Sequence, residues 1–145
     1  MITKEQIEAF GAVETPFYFY DLDLLRKTLD LYKSQIGKYG YNAHYAMKAN
    51  ANDRILDIIK GYGLGADCVS GNEVKLAVRA GFDPQKIVYA GVGKSDKEIR
   101  AALRAGIFSF NCESVPEIRI INDLAAAMGR KARVSIRVDP DIDGD

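Results

Sequence analysis

From residue 44 onward, the sequence repeats one unit: a short apolar segment, a loop, an amphipathic segment with helical spacing, and a glycine. Three loops contain the pattern S-x-x-E, and these pairs are Ser70 with Glu73, Ser95 with Glu98, and Ser114 with Glu117. In such a capping box, the two side chains bind N–H groups that the first turn of a helix leaves free. Gly81, Gly106 and Gly129 stand where each predicted helix needs a residue in the left-handed conformation to end it. The repeat predicts strands that alternate with helices.

Between these signals, apolar residues recur at helical spacing. They are Val74, Ala77 and Val78; Ile99, Ala102 and Leu103; and Ile118, Ile121, Ala125 and Met128. The predicted strands are 44–49, 66–70, 86–90, 108–111 and 132–138. Each begins roughly 20 residues after the previous one, which leaves room for one crossover helix. This arrangement favours a parallel sheet, either doubly wound or part of a (β/α)₈ barrel.

The alternation of apolar and polar residues within the first and last predicted strands distinguishes between these two folds. The residues predicted to point away from the helices are His44, Ala46, Lys48, Ser135 and Arg137. A doubly wound sheet has helices on both faces and requires both to be apolar. The inward face of a barrel strand can become polar near the catalytic rim. We therefore predict the first five strands of a (β/α)₈ TIM-like barrel. Because a complete barrel has about 250 residues, we expect the chain to be the first part of a longer protein.

Composition excludes several classes of function. The chain has 20 basic and 20 acidic residues and no basic cluster, which argues against nucleic acid as a partner. No apolar run approaches the length of a membrane span, and the start lacks a signal-peptide core. Cys68 and Cys112 are isolated, as expected in a reducing cytoplasm. With one histidine, His44, we expect no metal site.

Lys48 is the strongest candidate for chemistry. It lies at the predicted carboxyl end of the first strand, where barrel enzymes carry their active sites. A lysine there can form an imine with an aldehyde cofactor. Position alone favours a lysine that extends to solvent at the rim.

Five segments together resemble one enzyme family, the alanine-racemase-fold, pyridoxal-phosphate (PLP)-dependent decarboxylases of group IV. Residues 45–50, Y-A-M-K-A-N, are similar to the Y-A-x-K-A-N signature of the family. Within the family, residues 15–21, T-P-F-Y-F-Y-D, resemble the amino-terminal segment of diaminopimelate decarboxylases. The other matches are 65–73 with G-x-D-x-x-S-x-x-E, 93–95 with G-K-[ST], and 136–140 with R-V-[ND]-P.

The resemblance implies a cofactor site. Lys48 would be the Schiff-base lysine, and Asp67, Arg137 and Ala46 would lie near the cofactor. Asp67 can equally be a structural carboxylate bonded to a neighbouring loop, and Arg137 part of an interior ion pair. We interpret His44, deeper on the same face, as a hydrogen-bonded core histidine.

The resemblance also implies an activity, namely PLP-dependent decarboxylation of the amino acid meso-2,6-diaminopimelate to L-lysine and CO₂ in the cytoplasm. The alternatives are an arginine, ornithine or carboxynorspermidine decarboxylase, an alanine racemase, or a PLP-binding barrel protein without catalysis. Residues 1–35 would form an amino-terminal segment and first helix that contact a carboxyl-terminal β-domain. Residues 36–145 would form the first half of the barrel. We expect the full enzyme to be a homodimer with shared active sites, and residues 1–145 alone to be inactive.

Residues 112–114, C-E-S, look like a catalytic motif that the family carries near its carboxyl terminus. Here the triplet falls between the fourth predicted strand and a capping box. We therefore interpret it as a connection and not as that motif.

Overall fold

The computed structural model describes residues 2–138 and residue 140. Its α-helices are α1 (Lys4–Phe10), α2 (Leu22–Tyr39), α3 (Asp53–Gly61), α4 (Gly71–Arg79), α5 (Asp96–Ala105) and α6 (Val115–Ala127). Its strands are β1 (His44–Ala46), β2 (Gly65–Cys68), β3 (Ile87–Tyr89), β4 (Ser109–Cys112) and β5 (Val134–Ile136). A short 3₁₀ turn, Pro84–Lys86, precedes β3. Among the described residues, no helix is both long enough and apolar enough to cross a membrane.

The five strands form one parallel sheet in sequential order, β1-β2-β3-β4-β5. Right-handed crossovers between sequential neighbours bring the connecting helices to the same face of the sheet. A doubly wound sheet instead reverses its strand order and has helices on both faces. The prediction of a barrel's first five strands is confirmed.

The three predicted helix starts lie at the expected serines. The Ser70 hydroxyl accepts the N–H of Glu73 at 3.2 Å, and α6 starts in the same way at Ser114. At α5, the N–H of Ser95 donates to the Glu98 carboxylate at 3.0 Å, and the Ser95 hydroxyl donates to the same oxygen. The predicted glycines follow the helices with positive φ, at 84° for Gly81, 70° for Gly106 and 62° for Gly129.

Two of the glutamates depart from the predicted capping box. Glu73 accepts the N–H of Val69 at 2.8 Å, and Glu117 accepts the N–H of Glu113 at 2.8 Å. Both carboxylates therefore reach one residue beyond the capping serine. This ties each helix to the loop that enters it from the preceding strand.

Four of the five predicted strands are shorter than predicted, and the fourth keeps its length but is shifted by one residue, to Ser109–Cys112. β1 ends at Ala46, and residues 47–49 form a turn in which the N–H of Ala49 donates to the Ala46 carbonyl at 3.0 Å. β5 covers only Val134–Ile136. Apolar alternation predicts a strand as far as the pattern continues. β1 ends earlier because the backbone turns at residues 47–49, after one last bond from the N–H of Met47 to the Asp67 carbonyl.

The core lies between the sheet and the helices. The strand residues buried on this side are Ala66, Cys68, Ile87, Tyr89, Phe110 and Cys112. Met47 is 1% exposed, as its predicted orientation requires. Val134 and Ile136 are exposed on β5, which is at the end of the strand order and pairs with β4 alone among the described strands.

In the three helices for which apolar positions were predicted, α4, α5 and α6, one predicted position is exposed and one buried apolar side chain of α6 was missed. Val78 is 39% exposed, because α4 packs through Gly71, Val74 and Ala77 and Val78 falls at the edge of that stripe. Leu124 of α6 is buried although it was not among the predicted core residues. The domain boundary predicted after residue 35 lies inside α2, which continues to Tyr39 and ends at Gly40 with φ of 67°.

Candidate functional site

A concavity of about 380 Å³ lies at the carboxyl end of the strands, on the face opposite the helices. Its polar lining residues are Asp67, Asn111, Glu113, Ser135 and Arg137. They come from three strands and the segments that follow them, because all parallel strands end at the same edge of the sheet. Asn111 and Ser135 are register partners on β4 and β5. Two of the predicted site residues, Asp67 and Arg137, are thus brought to one surface.

Lys48 and Ala46 lie beside this concavity, on the β1 side, and do not line it. Ala46 is the register partner of Asp67, and the N–H of Met47 donates to the Asp67 carbonyl at 2.9 Å. Lys48 follows directly, in a turn and not in the strand as predicted, with an exposed side chain.

The sequence around Lys48 determines the shape of that turn. The Tyr45 hydroxyl donates to the Asn50 carbonyl at 3.1 Å, which joins the two ends of the segment. The Asn50 side chain accepts the N–H of Asn52 at 2.9 Å, and Asn52 caps α3. The tyrosine and asparagines therefore fix the backbone on both sides of the lysine.

Asp67 carries a buried carboxylate oxygen, Oδ1, that accepts no hydrogen bond from the described part of the chain. Leaving a buried polar atom unpaired costs about 1–3 kcal/mol, and more when it is charged. No neighbouring loop supplies the bond that a purely structural carboxylate would require at this atom. The oxygen is placed to accept a hydrogen bond from a bound ligand.

His44 lies at the other end of the strands. Its imidazole lies over Gly65, where an added Cβ would be 2.4 Å from Cδ2 of the ring. Burial lowers the pKa of His44 and Lys86 lowers it further, while Asp67 opposes the shift. His44 was predicted to be an inward-facing histidine with a hydrogen bond. The inward position is found, but the ring forms no hydrogen bond with residues 2–138.

Arg137 forms an ion pair with Glu113, with 3.7 Å between Nη1 and Oε1. The arginine side chain is 72% exposed and the glutamate 23%. An exposed pair of this kind contributes at most about 1 kcal/mol. Arg137 was predicted either to contact the cofactor or to form an interior ion pair. The ion pair is found, but it lies at the rim of the sheet and not in the interior. The exposed guanidinium can therefore still reach a ligand.

The C-E-S triplet connects β4 to α6, as predicted. Cys112 is buried, and burial raises the pKa of its thiol, which makes it a poor nucleophile. Glu113 extends to the concavity and Ser114 caps α6.

Sequence reasoning gave no role to Lys94, whose side chain is 1% exposed. Its ammonium donates to the carbonyls of Gly91 and Asn111 at 2.6 and 2.9 Å, and to Oε1 of Glu117 at 2.5 Å. The only signal in the sequence was the G-K-S segment, which does not reveal a partner 23 residues away.

These residues fit PLP, which presents an aldehyde, an aromatic ring and a phosphate. The chain offers a primary amine at Lys48, a buried acceptor at Asp67 and a cation at Arg137, all near the carboxyl edge of the sheet. Asp67 Oδ1 gives an independent reason to expect a bound group here, because a donor on that group could make the hydrogen bond that this oxygen lacks.

Comparison with known proteins points the same way. The chain is 53% identical over 137 residues to the diaminopimelate decarboxylase of Bacteroides thetaiotaomicron, which covers 94% of this chain and 36% of the relative. The chain thus spans about a third of the length of the curated relatives that it matches.

Solved structures agree with the fold. The diaminopimelate decarboxylase of Helicobacter pylori, crystallised with L-lysine, superposes with a TM-score of 0.84 at 43% identity, over 94% of this chain and 35% of that one. The enzyme from M. jannaschii gives a TM-score of 0.88 at 31% identity, over 94% and 33%. The family model described as pyridoxal-dependent decarboxylase, pyridoxal binding domain, matches residues 22–145. The chain therefore belongs to the pyridoxal-dependent decarboxylases, whose pyridoxal-binding domain it matches from the start of α2 onward.

Proposed function

We propose that this chain is the amino-terminal part of a decarboxylase that converts meso-2,6-diaminopimelate to L-lysine and CO₂ with PLP as cofactor. The observation that carries the proposal is the placement of Lys48 and Asp67 at the ends of adjacent strands, with Asp67 Oδ1 buried and unpaired. The substrate is supported by the names of the relatives at 41–53% identity.

Lys48 would hold the cofactor through its ε-amine. When bound, PLP supplies an electron sink for the electron pair that the departing carboxylate leaves behind. The Lys48 amine, once released by the amine of the substrate, can carry a proton at Nζ near the reacting carbon. The bond from Tyr45 to Asn50 fixes the backbone turn from which this side chain extends.

Asp67 would accept a hydrogen bond from the cofactor or hold a nearby positive charge through Oδ1. Arg137 would contribute a positive charge at the rim, where Glu113 orients it. Ala46, the register partner of Asp67, has a side chain small enough to leave room for a ring beside β1.

We further propose the organisation of the whole protein. Residues 36–145 would be the first half of the barrel, and residues 1–35 would contact a carboxyl-terminal β-domain. Exposed aromatic side chains in the amino-terminal segment support this contact, since Tyr18 is 89% exposed and Phe17 and Phe19 are partly exposed. The proposed homodimer with shared active sites follows the family resemblance, and cytoplasmic location agrees with two free cysteines.

The test uses the full-length protein. After borohydride reduction with PLP, peptide mapping should find the pyridoxyl group on Lys48, and Lys48→Ala should abolish both labelling and CO₂ release. Lys97→Ala, which removes an exposed lysine of α5, serves as the control and should retain both. Label on another lysine would contradict the assignment.

Substrate identity is tested separately. CO₂ release is measured with meso-diaminopimelate, arginine, ornithine and carboxynorspermidine, and racemisation with alanine. Preference for another substrate would assign the chain to a different enzyme of the family. PLP binding without turnover of any of them would indicate a non-catalytic binding protein.

A further inference from the structure

The buried ammonium of Lys94 joins two loops at the carboxyl edge of the sheet. One bond goes to Gly91, in the loop after β3, and the other two go to Asn111 and Glu117, on either side of the loop after β4. Nζ also lies 5.3 Å from the centroid of the Tyr89 ring, where a cation is attracted to the aromatic face. All three protons of the ammonium thus have an acceptor.

The contacts of Lys94 continue to the candidate site. Glu117 binds Lys94 through Oε1 and accepts the N–H of Glu113 through Oε2 at 2.8 Å. The side chain of Glu113 in turn pairs with Arg137. Asn111, whose carbonyl binds Lys94, lines the same concavity as Glu113 and Arg137. One lysine therefore fixes both ends of the segment 111–113.

We propose that Lys94 is a positioning residue: it holds segment 111–113 so that Glu113 and Arg137 face the cofactor site. The inference rests on the proposed function, because the site it organises is the proposed PLP site. Lys94 does not line the concavity, so it acts through Glu117 and Asn111 and not by touching a ligand.

The geometry requires an ammonium at this position. A methionine has a similar length but no donor, so it would leave two carbonyls and a largely buried carboxylate without their partner. An arginine keeps the charge, but its planar donors cannot point in three directions from one atom. We therefore expect Lys94→Met to be severe and Lys94→Arg to restore the function only in part.

The experiment compares four variants in the full-length protein. They are Lys94→Met, Lys94→Arg, the double variant Lys94→Met with Glu117→Gln, and the control Lys97→Met. The double variant removes the buried unpaired carboxylate, so it should fold where the single variant fails to. Lys97→Met removes an exposed charge three residues away.

Two measurements are made on each variant. Hydrogen–deuterium exchange of residues 109–117 in the cofactor-free protein reports on the Glu113 N–H, independently of activity. Titration with PLP gives the Kd. Lys94→Met and the double variant should exchange faster and raise the Kd by about tenfold or more, the value of one charge-assisted hydrogen bond. Lys94→Arg should fall between them and wild type, and Lys97→Met should match wild type.

A core variant that is destabilised about as much as Lys94→Met distinguishes a positioning role from general destabilisation. Leu124→Ala removes a buried side chain of α6 without touching the Lys94 bonds. It should lower the melting temperature while leaving the PLP Kd unchanged well below melting. An equal rise in Kd for Leu124→Ala would overturn the positioning role.

The remaining outcomes separate the two proposals. Unchanged exchange or unchanged PLP affinity in both Lys94→Met and the double variant would overturn the role of Lys94 and leave the proposed function intact. A wild-type protein that binds no PLP would overturn the proposed function and with it this role.

Discussion

Gly65 begins β2 at a point where a side chain has no space, and replacing it with alanine should destabilise the protein. An alanine Cβ would lie 2.2 Å from the carbonyl oxygen of Lys86 and 2.4 Å from Cδ2 of His44, whereas ordinary contact begins at 3.4 Å. The carbonyl belongs to the backbone that enters β3, which pairs with β2 through Ala66 and Ile87. It cannot recede by about 1 Å without disturbing that pairing.

The magnitude follows from two opposing effects. Overpacking in a closely packed region costs about 1–3 kcal/mol, and a backbone obstacle belongs at the upper end of this range. Replacing glycine restricts the unfolded chain, which returns about 0.4–1 kcal/mol. The net loss for Gly65→Ala should be about 2 kcal/mol. In a full-length protein about three times as long as this chain, as its relatives are, this corresponds to about 2–3 °C in melting temperature.

Gly37→Ala is a matched control, because it makes the same chemical change with the opposite expected sign. Gly37 lies inside α2, and no atom lies within 4 Å of the added Cβ. Alanine there should stabilise the helix by about 0.5–1 kcal/mol. Thermal melts and urea titrations of both variants in the full-length protein provide the measurement. A Gly65→Ala protein as stable as wild type would refute the reasoning.

Three further predictions follow from single contacts. Asp67→Asn keeps the shape of the side chain but removes its charge, so the Kd for PLP should rise about tenfold or more; an unchanged Kd with altered stability would favour a structural role. Burial raises the pKa of Cys68 to about 12 and also raises that of Cys112. Because the thiolate is the reactive form, both should resist a thiol reagent at pH 8 until urea unfolds the protein, and rapid labelling of the native protein would contradict this. Ser114→Ala removes the acceptor for the Glu117 N–H and should cost about 1 kcal/mol in urea unfolding, whereas an unchanged midpoint would show that the cap contributes little.

The sequence predicted the features that neighbouring residues determine. Ser70 and Ser114 start helices because each hydroxyl accepts a backbone N–H three residues later. At Ser95 the backbone N–H and the hydroxyl both donate to the carboxylate of Glu98, which is also three residues away. Glycines with positive φ end these helices for an equally local reason. The sequential strand–helix order then fixed the parallel sheet, since right-handed crossovers leave few other arrangements.

Alternation along the strands identified part of the candidate site. Arg137 was predicted on the inward face, and it lines the concavity together with Asp67. The strand limits were less accurate: Lys48 was predicted inside β1 but lies in the turn after it. β1 ends where the backbone turns, and the bond from the Tyr45 hydroxyl to the Asn50 carbonyl that closes this turn is not signalled by the apolar alternation.

What only the tertiary structure decided are the contacts between residues far apart in the sequence. Lys94 and Glu117 are separated by 23 residues, and neither carries a local signal for the other. The unpaired Oδ1 of Asp67 likewise depends on what surrounds it from other strands. The sequence by itself determined the order of elements and the face of the sheet on which Ser135 and Arg137 lie, because both follow from local hydrogen bonds and from the period of the backbone. The pairing of buried charges required the folded chain, because an ion pair is selected by distance in space, and the sequence does not contain that distance.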